Sequence, residues 1–290
     1  MHPAKSIILF TSLSGLGFGL LAFLCLGVPP VTDWIAFVFF AVAFAAAGGG
    51  LIASTFHLGH PERALKAFTQ WRTSWLSREG WLAVATLAVT GLYAALVIFT
   101  GTRIFILGAL GSLLCVATTF ATSMIYAQLK TVPRWNHWTT SVLFVGLSLA
   151  GGALLSGSVR AAILLLLTCG VLQFYAWKTG DSRLAESGSN MASATGLGDI
   201  GTVTAFEPPH TGGNYLTDEM VFVVARKHAL KLRSIALVLT FLAPALLLLL
   251  PFTHLFAAIA VASHVLGLFT LRWLFFAEAE HVVGLYYGRR

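Results

Sequence analysis

Eight mainly apolar runs, each close to twenty residues long, recur along this chain at 6–26, 34–57, 79–99, 103–129, 137–157, 161–178, 234–250 and 258–285. About 20 such residues are what a helix needs to cross a hydrocarbon core of roughly 30 Å. In lipid every backbone N–H and C=O must be satisfied within its own segment, so runs of this length dictate helices. Only 10% of the residues are charged and 57% are hydrophobic, whereas a soluble domain carries about 25% charged residues. A buried core does not account for that deficit; a lipid-facing surface does. The sequence predicts an all-α integral membrane protein, a single domain over 1–290 built as an eight-transmembrane-helix bundle. The first run continues to Val28-Pro29-Pro30 and a second span follows at once, with no small-residue cleavage site, so a retained helix is expected rather than a signal peptide. Pro244 is expected to kink the seventh run.

Charge decides orientation. The connections after even-numbered runs, with the two ends of the chain, hold fifteen of the eighteen Lys and Arg residues: Lys5, then Arg63, Lys66, Arg72 and Arg78, then Lys130 and Arg134, then Lys178, Arg183, Arg226, Lys227, Lys231 and Arg233, and finally Arg289 and Arg290. The opposite connections hold only Arg103 and Arg160, and Arg272 lies inside the last run. By the positive-inside rule both termini and the longer loops are expected in the cytoplasm. The net charge of +7 follows from this topology, not from nucleic-acid binding. A partner is expected to dock from the cytoplasmic side, because the outer loops are short.

Two of the cytoplasmic loops differ in character. Residues 57–78 are compact, basic and aromatic, with Trp71 and Trp75. Residues 179–233 form a long loop whose first part, 181–201, is rich in Gly, Ser and Ala and reads as flexible. Its second part, 206–220, combines the stiff pair Pro208-Pro209 with His210 and the apolar Phe206, Tyr215 and Met220. A plain tether does not need these groups, so they are read as a docking element for a soluble subunit. The alternative is a cap folded over its own bundle.

Small residues in the first two runs, Gly15, Gly17, Gly19, Gly48, Gly49 and Gly50, are expected to mark close helix packing. Cys25, Cys115 and Cys169 all lie in apolar runs with no CxxC spacing, so buried thiols are expected, without disulfide or iron–sulfur cluster. The histidines of the spans lie at different depths, so paired axial ligation of haem is not expected.

An ionisable group at membrane depth is costly and is read first as functional. His57 ends the second run and Glu79 opens the third, and the loop between them returns the chain to the same face. The last run brings Arg272, Glu278 and His281 to that face, with Glu278 and His281 one helical turn apart. Together these suit a quinone headgroup, which needs hydrogen-bond partners at its oxygens and a route for protons. Taken singly, the more ordinary readings are helix capping, or Arg272 pairing with Glu278 or snorkelling.

The segment 54–79, STFHLGHPERALKAFTQWRTSWLSRE, resembles the membrane anchor subunit of dimethyl sulfoxide reductase, through His57, Leu58, Gly59, Pro61, Arg63, Ala64, Ser77 and Glu79. Thr131-Val132-Pro133 with Trp135, and the end of the last run from Arg272 to Gly284, also match. The resemblance implies an anchor that holds a molybdopterin catalytic subunit and an iron–sulfur subunit at the membrane and exchanges electrons with quinone. It ties His57 and Glu79 to quinol binding. Arg63, Arg272, Glu278 and His281 are expected, from their place at the same face, to complete the pocket. Dimethyl sulfoxide reductase itself works outside the cytoplasm, opposite to the orientation expected here. The stretch 207–216, EPPHTGGNYL, and the start MHPA are more similar to anchors of the cytoplasmic sulfite dehydrogenase of sulfur oxidisers, implying electron flow from sulfite to quinone in a bacterial inner membrane. The alternatives are a quinol-oxidising reductase anchor and a purely structural anchor. A transporter fits less well, since its polar groups normally lie near the bilayer midplane.

Overall fold

The structure, a computed structural model, describes residues 2–56, 60–207, 212–220 and 228–287. Among them there is no strand, and eight helices are long and apolar enough to cross a membrane. These are α1 (Lys5–Cys25), α2 (Asp33–Thr55), α3 (Trp75–Thr100), α4 (Phe105–Ala127), α5 (Trp138–Leu155), α6 (Val159–Gly180), α7 (Ala229–Leu249) and α8 (His254–Ala277). The ends are set by local chemistry. His137 and Thr253 cap α5 and α8 by accepting from the backbone N–H of Thr139 and Phe256. Helix α3 stops at Gly101, whose φ of 66° is left-handed and favours glycine.

Helix α1 threads the middle, packing on α2, α4, α5 and α8. No hydrophobic force draws helices together in lipid, so backbone proximity has to supply the contact. A Cβ at Gly17 would strike the backbone of Ala43 and Ala47 on α2, one at Gly50 would strike Ser14, and one at Gly19 would strike Ser148 on α5. Gly15, Gly48 and Gly49 have open space where a Cβ would sit, so the expectation of close packing fails at these three. Gly15 serves α5 through its carbonyl, which accepts from Ser148 Oγ at 2.6 Å. One apolar cluster joins α1 to α4, with Phe18, Leu21, Phe40 and Tyr93; a second joins α5 to α8, with Leu147, Leu166, Phe241 and Leu274. Trp34, Phe99, Phe105 and Val171 point outward, as lipid contact requires.

The proline in α7 has a specific local consequence. Pro244 has no N–H to give to Thr240 O, and a π-helical turn at Val238–Leu242 precedes it. The carbonyls of Leu239 and Thr240 are taken up by α8 instead, accepting from Ser263 Oγ and His264 Nδ1, each at 2.8 Å. The π-helical turn before Pro244 thus fastens α7 to α8.

Two expectations need correction. Helix α3 begins at Trp75, so Glu79 lies in its second turn and does not open it. Helix α8 ends at Ala277, and after an irregular step a short 3-10 helix, Val282–Tyr287, follows. Glu278 and His281 therefore share no helical face. The chain leaves the helix because the N–H of Val282 pairs with Thr131 O, at 2.9 Å, in the α4–α5 connection.

The Gly- and Ser-rich stretch is more ordered than its composition suggests. It contains short helices at Arg183–Glu186 and Met191–Thr195, the second closed by a capping box between Asn190 and Ser193. Arg183 is buried and donates to Arg134 O and to Thr179 Oγ1.

Candidate functional site

The connection before α3 is built by one arginine. Arg78 donates through Nε to Trp71 O at 2.9 Å and through its Nη2 to Arg72 O at 2.6 Å, with its guanidinium 4.5 Å from the Trp75 ring. Trp81 Nε1 donates to Phe68 O at 2.9 Å, and the two rings meet edge to face. The loop is folded back on the start of α3, and this fixes the first turns of the helix, where Glu79 lies. Its carboxyl is 4% exposed and accepts from Thr122 Oγ1 on α4 at 2.5 Å. Ser77, 1% exposed, has no hydrogen-bond partner for its hydroxyl among the described residues.

One turn beyond Thr122, Tyr126 packs against Trp135, Phe144, Phe275 and Phe276, and lies within electrostatic range of both Glu79 and Arg272. Arg272 on α8 is 4% exposed, its guanidinium 3.7 Å from the centre of the Phe144 ring. It pairs with no acid and has no hydrogen-bond partner among the described residues. Neither pairing with Glu278 nor snorkelling describes it. Taking a guanidinium out of water costs several kcal/mol, and a desolvated cation–π contact returns about 2.

Glu278 belongs to a different group. It receives Arg233 Nε at 2.5 Å and lies 3.8 Å from the guanidinium of Arg134. The same two arginines hold Asp181, Arg134 at 2.6 Å and Arg233 in a fork at 2.6 and 2.8 Å. Helices α6, α7 and α8 and the α4–α5 connection are thereby tied at one face. The Arg233 hydrogen bond, aided by Arg134, holds the Asp181 carboxyl down at about 2, whereas burial raises that of Glu278 despite both arginines. Burial likewise lowers the His281 imidazole, whose Nδ1 accepts from Val283 N at 3.0 Å.

The sequence-selected residues therefore fall into separate groups. Glu79 faces α4, and Arg272 faces a cavity between α5, α6 and α8. Glu278 is in the ion cluster and His281 in the C-terminal turn. Arg63 is exposed beside Glu62, at 3.9 Å. His57 lies outside the described residues, as do Pro208, Pro209 and His210 of the expected docking element. Of the other docking residues, Phe206, Tyr215 and Trp71 are exposed, whereas Trp75 packs edge to face on Phe120. Sequence reasoning missed Thr122, Tyr126, Gln173, Asp181 and the pairing role of Arg134 and Arg233. One signal was legible, since Thr118, Thr122 and Tyr126 recur every four residues and form a polar stripe on α4 facing the Thr86–Thr90 stripe of α3; Thr86 and Thr118 meet at 2.7 Å.

The profile of the DMSO reductase anchor subunit family (DmsC) matches residues 2–177. The chain is also 32% identical to a sulfite dehydrogenase subunit from Allochromatium vinosum, over 99% of this chain and 99% of that protein. No solved structure matches it significantly. With the motif of its second loop, the eight membrane-capable helices and a profile that covers more than half the chain, this protein is a member of the DMSO reductase membrane anchor subunit family.

Proposed function

We propose that the chain is the quinone-reactive anchor of a sulfite-oxidising complex in a bacterial inner membrane. The reading is supported by its full-length likeness to a protein named as part of a sulfite dehydrogenase. Sulfite is oxidised to sulfate on a molybdopterin subunit, an iron–sulfur subunit relays the two electrons, and a quinone takes them up at the membrane with two protons. Both soluble subunits dock on the cytoplasmic face, a side that the Lys and Arg bias supports for the termini and the long loop. Phe206 and Tyr215, exposed at 100% and 62%, are apolar anchors suited to such a contact.

The observation that carries the quinone site is Glu79. It is a buried carboxyl near the start of α3 that accepts from Thr122 through one oxygen, its other oxygen having no hydrogen-bond partner among the described residues. The Ser77 hydroxyl, buried without a partner among the described residues, supplies a further polar group in the same part of α3. These groups fit a headgroup whose oxygens need donors and whose reduction needs protons delivered. Glu79 passes a proton between the headgroup and water, and His57, at the end of the second apolar run in the same motif, is the second candidate proton carrier.

The test is sulfite-dependent quinone reduction by membranes carrying Glu79→Gln or His57→Ala, with assembly of the complex checked in parallel. Loss of turnover in an intact complex supports the site. Normal turnover removes it and leaves a structural anchor. Quinol-dependent reduction of a sulfoxide, without sulfite oxidation, reverses the direction of electron flow.

A further inference from the structure

Between α5, α6 and α8, lined in part by Arg134 and Glu278 of the ion cluster, lies a cavity of about 60 Å³. That is room for a few waters or one small polyatomic ion. Arg272 enters it from α8 and Gln173 from α6, with Trp135 and Trp177 among its walls. Arg272 is 4% exposed and Gln173 9%, and the buried Nε of Arg272 has no hydrogen-bond partner among the described residues. Arg183 and Arg134 also line it.

The charge balance is uneven. Arg134 and Arg233 are matched by Asp181 and Glu278. Glu278 also lines the cavity, but its carboxylate is taken up by those two arginines. Arg183 is held by a carbonyl and a hydroxyl, and Arg272 by a ring face alone. Arg183 also has Glu186 one turn along its own short helix within electrostatic range, so the guanidinium of Arg272 is the one lining charge left without an acid among the described residues. Arg stays protonated in proteins, so it cannot relieve its burial by losing a proton. A neutral acceptor would satisfy its N–H groups and leave the charge; an anion would satisfy both.

We propose that this cavity binds an oxyanion of the sulfate or phosphate class, its oxygens held by the Arg272 guanidinium and the Gln173 amide. The site is separate from the Glu79 quinone site and does not rest on it. A free inorganic ion and the phosphate of an anionic lipid share the required chemistry.

The full chain, in nanodiscs of phosphatidylcholine, is tested with radiolabelled inorganic sulfate and with inorganic phosphate, against chloride at equal ionic strength. Saturable sulfate or phosphate binding is expected, weakened about tenfold or more by Arg272→Gln and by Gln173→Leu, and unchanged by Arg160→Gln, an exposed arginine in the first turn of α6 and outside the cavity lining. Arg272→Gln removes the uncompensated charge, so this variant is expected to fold, and its melting temperature checks that. If no free ion binds, but nanodiscs with phosphatidylglycerol raise the melting temperature of the wild type and not of Arg272→Gln, the ligand is a lipid phosphate and the site stands. If neither source distinguishes wild type from Arg272→Gln, there is no oxyanion site. Sulfite-dependent turnover plays no part in these readouts, so failure here leaves the quinone reading intact.

Discussion

Thr122 on α4 donates a hydrogen bond of 2.5 Å to Glu79 on α3, joining residues 43 positions apart in the chain. A lone carboxyl at this depth would be an expense without return, and the threonine hydroxyl gives it a fixed orientation. Its second oxygen has no hydrogen-bond partner among the described residues.

The first prediction follows from that geometry. Glu79→Gln keeps an oxygen to accept from Thr122 but removes the ionisable group. Quinone-coupled turnover should fall by about 100-fold, in the range of general acid–base contributions. Thr122→Ala keeps the acid and should cost less. Steady-state rates of both variants, normalised to assembled complex, separate the two; equal losses would mean that orientation, not proton transfer, is what Glu79 provides.

The ion cluster makes a prediction about stability. Arg233→Leu leaves Glu278, with a side chain 5% exposed, facing Arg134 at 3.8 Å as its remaining partner. Breaking a buried pair on one side costs about 3–5 kcal/mol, so thermal unfolding in detergent should move sharply lower. The double variant Arg233→Leu with Glu278→Leu should recover part of the loss, because no buried charge is then stranded.

Asp181 sets an acid limit on that cluster. Its carboxyl titrates at about 2 in the fold against an ordinary value of 3.8. The folded chain therefore binds this proton less readily than the unfolded one. The stabilisation is complete above pH about 4 and is lost as pH falls toward 2. Glu278, raised by burial, works in the opposite direction, so the difference between wild type and Asp181→Asn is the informative quantity. That difference in melting temperature should shrink across this window and stay level above it.

Helix contact in lipid is a matter of single atoms at Gly17. Gly17→Leu should abolish monodisperse protein after solubilisation, because its Cβ would meet the backbone of α2. Gly48→Ala should be silent, since nothing lies within 4 Å of the added atom. Size-exclusion profiles of the two variants decide it.

Docking through the long loop predicts a separation of phenotypes. Phe206 is fully exposed and touches nothing that folding requires. Phe206→Asp should leave the melting temperature of the isolated chain unchanged while releasing the soluble subunits from washed membranes. Retention of both subunits would assign the contact elsewhere.

The sequence by itself determined the eight helices, because their length and apolarity answer to bilayer thickness and to backbone hydrogen bonding, which no tertiary contact alters. It also pointed to Glu79, since a carboxyl at the edge of an apolar run stands out against its neighbours. The partners of the charged groups were decided only by the tertiary structure. Arg233 and Glu278 lie 45 residues apart and Arg134 and Asp181 lie 47, and nothing in local spacing says which cation an acid will meet. The place where α8 ends was hidden for the same reason: the apolar run continues, but a backbone bond to Thr131 draws the chain out of the helix. Which glycines touch a neighbour was equally a tertiary matter, since Gly48, Gly49 and Gly50 are identical as letters and differ only in where the helix turn points them. Arg272 shows both sides. Its place in an apolar run was plain from the sequence, and its lack of a counter-charge became visible only when the bundle closed around it.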